Sequence, residues 1–303
     1  MKFKIWGLTG TLATEHEEQM AFAEQRLWHW IDSFDAACNR FRSDSEISRL
    51  NAQSGQSLAI SPTLELAIDA ALRAGEATGG LCDPTVLPAL IALGYDRDYD
   101  ELLLRDDLKA GAPIPAPGLG AIHLDRERHV ITLDPGCQLD LGASAKALIV
   151  DLVAHDVAPH GGVVVELGGD VAALGNGPDG PWVIGIADRL DLRGDEPRVS
   201  IASGAIATSS LTTRTWRVGS EVANHIIDPR TGTFARSVYA TSSVSASSCV
   251  IANAFATAAL LWGEDAGFHI AQAGWSARLV RNDGTVDFIG GWPEDDRSRE
   301  CLP

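Results

Sequence analysis

The chain has 303 residues, of which 45% are hydrophobic, and it carries a formal net charge of −17. This composition predicts a folded globular protein with room for one large domain or two modest ones. The negative charge repels phosphodiester backbones and anionic membrane surfaces, which argues against a nucleic-acid partner, although backbone N–H groups, a lysine or a metal ion can still hold a diphosphate locally.

Cysteine usage and apolar segments indicate the compartment. Five widely spaced cysteines without a C-x-x-C pair predict reduced thiols, not a zinc site or a redox dithiol. The first residues contain no apolar stretch of signal-peptide length. The most apolar segment, Val250–Trp262, is too short to cross a bilayer. We therefore expect a cytoplasmic protein without membrane insertion.

Two helices are predicted in the first third of the chain. Over residues 15–35, apolar residues recur at helical spacing and predict a helix that packs one face on the core. Ser61 is a suitable N-cap and Pro62 a suitable first helical residue for a second helix, which Gly79-Gly80 ends.

Hairpins and short strands dominate the rest. Residues 95–120 are acidic and then rich in Pro and Gly, which predicts a small surface insertion. Ala121–Leu133 alternates around a charged turn and predicts a hairpin, and Gly161–Gly175 predicts two strands joined by a tight Gly168-Gly169-Asp170 turn. Further strands are expected at 182–187, 198–201, 206–208 and 240–244, before a helix that begins near Ile251.

These elements predict an α+β fold in which a mainly antiparallel sheet packs with helices. We expect a single domain over residues 1–292 and a mobile C-terminal tail over residues 293–303.

The segment Gln138–Asp151 has features of a phosphate site. An apparent strand ends at Asp140-Leu141, and a Gly-Ala-Ser-Ala turn opens a helix at about Lys146. Free N–H groups, the positive helix end and the lysine would then lie together, which suits a phosphate. Taken alone, this segment is better explained by a capped helix with a solvent-facing lysine, and an ordinary hairpin turn explains Gly168-Gly169-Asp170.

Two more segments combine polar groups that chemistry could use. Residues 224–232, NHIIDPRTG, place His225 and Asp228 beside a turn, and the DPRTG part has an alternative explanation as a plain surface turn. Asn253 and Thr257 are four residues apart, so they share one face of an apolar helix where a hard cation such as Mg²⁺ could bind their oxygens. Alternatively, Thr257 bonds back to its own helix and Asn253 caps it.

Taken together, seven collinear segments resemble the FAD:protein FMN transferase family, known as ApbE. The segments are LTGT at 8–11, FRSDSEISRLN at 41–51, TGGLCDPTVLPAL at 78–90, LDLGASAKALIVD at 139–151, VVELGGDVAALG at 164–175, IATSSLTTRTW with NHIIDPRTG at 206–232, and IANAFATAALLWG at 251–263. Their consistent order over residues 8–263 is more specific than any one motif. In the first segment, Thr9 stands where the family has methionine.

The resemblance implies the residues of a substrate site and a metal site. Those implied to contact FAD are Thr9, Phe41, Leu81, Cys82, Asp83, Asp140, Lys146, Gly168, Gly169, Asp170, His225 and Ile226. The implied magnesium ligands are the backbone carbonyl near Ala143 and the side chains of Asn253 and Thr257. Where the family has aspartate, this chain has Asn253, which removes a full negative charge and should weaken cation binding.

The implied reaction moves FMN from FAD to a threonine or serine hydroxyl of an acceptor protein and releases AMP. Lys146 and Mg²⁺ would hold and neutralise the diphosphate, and His225 or Asp228 would accept the hydroxyl proton. Two alternatives remain open at this point. The first is a protein that binds flavin without catalysis, and the second is an FAD diphosphatase that yields FMN and AMP.

Overall fold

A computed structural model of the protein describes residues 1–105, 108–187 and 196–294. The helices are α1 (Met20–Cys38), α2 (Glu46–Ala52), α3 (Pro62–Ala77), α4 (Leu87–Ala92), α5 (Tyr99–Leu102), α6 (Ser144–Val157), α7 (Cys249–Trp262) and α8 (Ala266–Gln272). The strands are β1 (Lys2–Ile5), β2 (Leu8–Thr14), β3 (Ser57–Ala59), β4 (Ile122–Asp125), β5 (Val130–Leu133), β6 (Val163–Leu167), β7 (Asp170–Leu174), β8 (Trp182–Gly185), β9 (Arg198–Ile201), β10 (Ser203–Ser210), β11 (Thr215–Val218), β12 (Glu221–Asn224), β13 (Ile227–Asp228), β14 (Thr233–Phe234), β15 (Tyr239–Ala246), β16 (Ser276–Arg281) and β17 (Val286–Ile289).

The chain divides into two compact units, and each is assembled from separated segments. Unit 1 comprises residues 1–30, 146–213 and 236–303, and unit 2 comprises residues 31–145 and 214–235. Two of the four boundaries fall inside α1 and α6, and the other two fall between strands, after β10 and after β14. The single domain expected over residues 1–292 stays a prediction.

Unit 1 is built on an eight-stranded sheet in the order β1-β2-β6-β7-β10-β15-β16-β17. Every neighbouring pair in this sheet is antiparallel. Helix α7 packs on β10 and β15, and the alanine and leucine side chains along it are almost all buried. The predicted α+β fold with a mainly antiparallel sheet is therefore confirmed.

Unit 2 contains a three-stranded antiparallel sheet, β3-β5-β4, and the two-stranded ribbons β11-β12 and β13-β14. One of its apolar clusters joins α4 to β11 and β12 through buried residues that include Leu90, Tyr95, Leu102, Trp216 and Ala223. Trp216 also donates its indole N–H to the carbonyl of Leu93 at 2.8 Å. Residues far apart in the chain thus meet in one core.

Most predicted elements are confirmed. Ser61 caps α3 by accepting the N–H of Leu64, and Pro62 opens that helix. The two hairpins form as β4-β5 and β6-β7. One expectation is wrong. The strand expected to end at Asp140-Leu141 does not form, because residues 138–142 belong to no strand. The side chain of Asn51 instead bonds both the N–H and the carbonyl of Leu139, which occupies the groups that a strand partner would need.

The segment 95–120 is exposed from Lys109 to Pro115, as expected of a surface insertion. Its first part is anchored, since Tyr95, Leu102 and Leu108 are buried in the apolar cluster of unit 2. Among the described residues, no helix is long and apolar enough to cross a membrane. Of the tail expected to be mobile, residues 295–303 lie outside the described part of the chain.

Candidate functional site

In unit 1, the turn between β6 and β7 depends on two glycines. Gly168 and Gly169 have φ angles of 63° and 94°, a region that side chains disfavour. The N–H of Gly168 donates to the carbonyl of Thr9 at 3.1 Å, and the carbonyl of Gly169 accepts the N–H of Thr208 at 3.0 Å. The turn is therefore tied to both neighbouring strands, and it fixes the position of Asp170 at the start of β7.

Asp170 is the most deeply buried carboxylate of this region, with 2% of its surface exposed. Its Oδ1 accepts a hydrogen bond from the amide nitrogen of Asn253 at 2.7 Å. Burial raises the pKa of Asp170 to about 6, against the opposing effects of the Lys146 charge and the Asn253 hydrogen bond. The predicted glycine turn and the predicted metal-binding helix thus meet at one carboxylate.

Helix α7 is held at its beginning by another buried acid. Asp151 accepts the N–H of Cys249 at 2.7 Å and that of Val250 at 3.1 Å, one with each carboxylate oxygen. The hydroxyl of Ser248 accepts the N–H of Ile251. These bonds satisfy N–H groups that the first turn of a helix leaves without an intrahelical partner.

Asn253 and Thr257 form a polar face on α7. Their contacts differ from the two alternatives to metal binding, which were a helix cap at Asn253 and a bond from Thr257 to its own helix. Asn253 lies within the helix and bonds Asp170 instead of capping α7. The Thr257 hydroxyl lies 3.0 Å from that of Ser209 on β10. Helix capping and back-bonding therefore do not explain these two side chains.

The donor set of unit 1 suits a hard cation. Asp170, Asn253 and Thr257 all offer oxygen atoms, which Mg²⁺ and Mn²⁺ prefer. Within residues 1–105, 108–187 and 196–294, no group of three or more His, Cys, Asp or Glu side chains could hold a metal ion. The third predicted ligand, Ala143, lies exposed in unit 2 in the turn before α6.

In unit 2, the predicted residues Phe41 and Asp140 are joined by Arg40. Arg40 donates through Nε to Asp140 at 2.5 Å and through Nη1 to the carbonyl of Tyr95 at 3.0 Å. Its guanidinium carbon lies 4.1 Å from the centre of the Phe41 ring and 4.7 Å from that of Tyr95. The Phe41 ring, 38% exposed, is thus backed by a cation that is itself buried.

The predicted segment Leu81–Asp83 is also buried. Asp83 accepts both the N–H and the hydroxyl of Thr85, at 2.8 and 2.6 Å, and thereby caps a short 3₁₀ turn. Burial raises the pKa of Asp83, although the Thr85 hydrogen bonds oppose the shift. The N–H of Asp140 donates to the carbonyl of Pro84 at 2.8 Å, so this segment and Asp140 lie together.

The segment around His225 is shaped by Asn224. That amide donates to the carbonyl of Ala235 and accepts the N–H of Ile226, both at 3.0 Å. Asp228 instead forms two bonds of 2.8 Å with the guanidinium of Arg230. The hydrogen bond from Arg230 lowers the pKa of Asp228 and makes it a weaker base. Of the two predicted proton acceptors, Asp228 is therefore the one whose carboxylate is already engaged by a cation.

Sequence reasoning missed Arg40, Tyr95 and Ser209. Arg40 directly precedes the FRSDSEISRLN segment, so its position was a usable signal. Ser209 lies in a strand that ends in two buried serines, and adjacent serines at the end of an apolar strand could have suggested a polar contact. Nothing local to Tyr95 indicates its contact with Arg40, because the partners are 55 residues apart.

The chain is similar to a known family over most of its length. The model of the ApbE family matches residues 6–279. A Vibrio cholerae protein named FAD:protein FMN transferase is 30% identical over 80% of this chain and 74% of its own length. A Rhodobacter capsulatus protein of the same name is 32% identical over 80% of this chain, which spans 47% of that relative.

Solved structures share the fold. The ApbE protein of Thermotoga maritima has a TM-score of 0.81 at 22% identity, and the match covers 95% of this chain and 96% of that one. The flavin transferase ApbE from Vibrio cholerae has a TM-score of 0.74 at 23% identity, with 95% and 96% of the two chains covered. The eight-stranded sheet with α7 packed on it therefore sits within an arrangement that these proteins share.

Proposed function

The chain belongs to the ApbE family, and from that premise we propose that it transfers the FMN part of FAD to a hydroxyl group of an acceptor protein. The observation that carries the proposal is the match to proteins named FAD:protein FMN transferase over 80% of this chain at 30% and 32% identity. We further propose that the hydroxyl belongs to threonine or serine, that the reaction needs Mg²⁺ and that it takes place in the cytoplasm.

The bonds that change are those at the FMN-side phosphorus of FAD. The acceptor oxygen bonds to this phosphorus, the bond from the same phosphorus to the bridging oxygen breaks, and AMP leaves with that oxygen. We assign the hydroxyl proton to His225, because Arg230 engages Asp228 and lowers its pKa.

The residues of unit 2 would bind the flavin half. Phe41 offers an exposed ring for stacking, and the buried Arg40 and Asp140 hold that ring in place. Cys82 and Asp83 are fixed by hydrogen bonds from their own segment, which gives the substrate a rigid wall.

The residues of unit 1 would act on the diphosphate. Lys146 lies in the first turn of α6, where its charge and the positive helix end both favour an anion. The oxygens of Asn253 and Thr257, with the buried Asp170 beside them, suit a divalent cation, which would neutralise phosphate oxygens when bound. The share of the Ala143 carbonyl in holding this cation stays a prediction.

A single incubation tests the proposal against both alternatives. The protein is mixed with FAD and Mg²⁺, with and without an acceptor protein that carries an exposed threonine, and the products are separated by mass spectrometry. We expect the acceptor to gain one FMN and AMP to appear in equal amount. Free FMN regardless of acceptor would show a diphosphatase, and unchanged but bound FAD would show non-catalytic flavin binding.

Lys146→Met serves as the matched variant because it removes the charge and keeps the length of the side chain. We expect it to slow transfer while the chain stays folded. Lys109→Met, an exposed lysine of unit 2, is the control and should transfer at the parent rate.

A further inference from the structure

Asp170 has one carboxylate oxygen whose hydrogen bonding is incomplete. Oδ1 accepts the amide of Asn253, whereas Oδ2 is buried and has no hydrogen-bond partner within the described residues. Buried carboxylate oxygens are normally paired, since burying an unpaired charge is costly. The arrangement therefore favours a positively charged group at Oδ2.

The charged groups around Asp170 leave the region negative. Lys146 is the positive group that acts on Asp170, and Asp151 and Glu166 act on it with the opposite sign. Asp151 is engaged by the first N–H groups of α7, and Glu166 accepts the N–H of Gly169. With three carboxylates against one lysine, a divalent cation would improve the balance of charge.

The neutral ligands for such a cation lie on α7. The Asn253 amide uses its nitrogen in the bond to Asp170, so its carbonyl oxygen takes no part in that bond and is available as a ligand. Thr257, one helical turn later, adds a hydroxyl beside that of Ser209. Two neutral oxygens alone hold a hard divalent cation weakly, because such sites in proteins include carboxylates.

We propose that Asp170 supplies the anionic ligand of a divalent-cation site whose neutral oxygen ligands come from Asn253 and Thr257. This proposal deepens the proposed function, which needs such a cation, and it locates the negative charge on β7 instead of on α7. Asn253 then has two roles: its nitrogen orients Asp170 and its oxygen contributes a ligand. The neutral residue at position 253 is thereby compensated by its neighbour.

The test measures Mn²⁺ binding to the full chain by electron paramagnetic resonance, without FAD. We expect Asp170→Asn, which keeps the shape and removes the charge, to weaken Mn²⁺ binding by about tenfold or more. Asp265→Asn, an exposed acid of the same unit, is the matched control and should bind as the parent does. Unchanged Mn²⁺ affinity in Asp170→Asn would overturn the proposal.

A second variant decides the question if Asp170→Asn fails to fold. Asn253→Asp places a second carboxylate against Asp170, so it should unfold at a lower temperature in chelator and gain more from Mg²⁺ than the parent does. An equal or smaller gain would contradict the proposal. In Asp170→Asn/Asn253→Asp, we expect Mn²⁺ affinity to return toward the parent value.

These outcomes are separable from the proposed function. FAD binding is followed by flavin fluorescence in chelator, and transfer is followed with the acceptor protein. Transfer that persists while Asp170→Asn leaves Mn²⁺ binding unchanged removes only the role of Asp170. A chain that binds Mn²⁺ through Asp170 and leaves FAD unbound removes the transferase proposal and keeps the cation site.

Discussion

Arg40 and Asp140, 100 residues apart in sequence, form an ion pair of 2.5 Å in which both side chains are largely buried, with 8% and 15% exposed. The same guanidinium lies against the rings of Phe41 and Tyr95. One cation therefore connects the aromatic residue and the carboxylate that the family resemblance places at FAD.

Breaking this pair should destabilise the chain. Arg40→Met leaves Asp140 as an uncompensated buried charge, for which we expect a loss of about 3–5 kcal/mol in the free energy of unfolding. Arg40→Met/Asp140→Asn should lose less, because no unpaired charge remains. Urea denaturation followed by circular dichroism measures both. Arg97→Met, in an exposed pair with Asp96, is the control, and equal losses in Arg40→Met and Arg97→Met would contradict the prediction.

Removing the charge of Asp151 should loosen the start of α7. Asp151→Asn keeps one acceptor oxygen for the two N–H groups of Cys249 and Val250, so we expect a loss of about 1–3 kcal/mol. Hydrogen exchange should accelerate at these two amides in particular. Asp156 lies on α6 like Asp151 but bonds Arg26 and Trp30, so Asp156→Asn should leave the protection of the Cys249 and Val250 amides unchanged. Similar exchange at both amides in the two variants would show that Asp151 has no local role.

Asp83 should make stability fall as pH rises through part of the acid range. Burial raises its pKa above 3.8, so the folded chain holds the proton more tightly than the unfolded chain. The loss of folding stability caused by Asp83 is absent below pH 3.8. It grows as the pH rises toward the raised pKa and is complete above that pKa. Asp83→Asn has no proton to lose, so its Tm relative to that of the parent should rise across this window.

Asp44 provides a control of opposite sign for this measurement. Its hydrogen bond with Arg42 lowers its pKa, so its contribution is present above 3.8 and is lost as pH falls through the lowered pKa. The Tm of Asp44→Asn relative to that of the parent should therefore fall as pH rises. If the relative Tm of Asp83→Asn and that of Asp44→Asn changed with pH in the same direction, the opposite pKa shifts assigned to Asp83 and Asp44 would be wrong.

The exposed ring of Phe41 should contribute to FAD binding. We expect Phe41→Ala to weaken binding by about 0.5–1.5 kcal/mol, roughly 2- to 12-fold in Kd, measured by flavin fluorescence. Phe41→Tyr should restore most of the affinity, because stacking needs the ring. Phe268→Ala removes another exposed phenylalanine, 65% exposed on α8, and should bind FAD as the parent does. Equal affinity in Phe41→Ala and Phe268→Ala would exclude stacking at position 41.

Local signals allowed much of the fold to be predicted. Ser61 and Pro62 determine where α3 begins, and the tight Gly168-Gly169-Asp170 turn predicts the β6-β7 hairpin, because caps and tight turns depend on adjacent residues. The strand expected before Asp140-Leu141 failed for a non-local reason, since Asn51 occupies the backbone groups of Leu139.

The candidate site was predicted less completely than the fold. Asn253 and Thr257 could be paired from their spacing, because four residues span one helical turn. That Asn253 meets Asp170, 83 residues earlier, depends on how α7 packs on the sheet, which sequence periodicity does not encode. The contact of Arg40 with Tyr95 has the same origin, since tertiary packing alone brings them together.

Because the two units are built from alternating segments of the chain, they become complete at different times during synthesis on the ribosome. All of unit 2 has been synthesised by residue 235, whereas unit 1 still lacks β15, which must pair with β10 on one side and β16 on the other. Until those last residues emerge, the β10 edge of the sheet has no strand to pair with, and an open edge invites association with other chains. Nascent-chain truncations just before residue 239 should therefore aggregate more readily than the completed polypeptide.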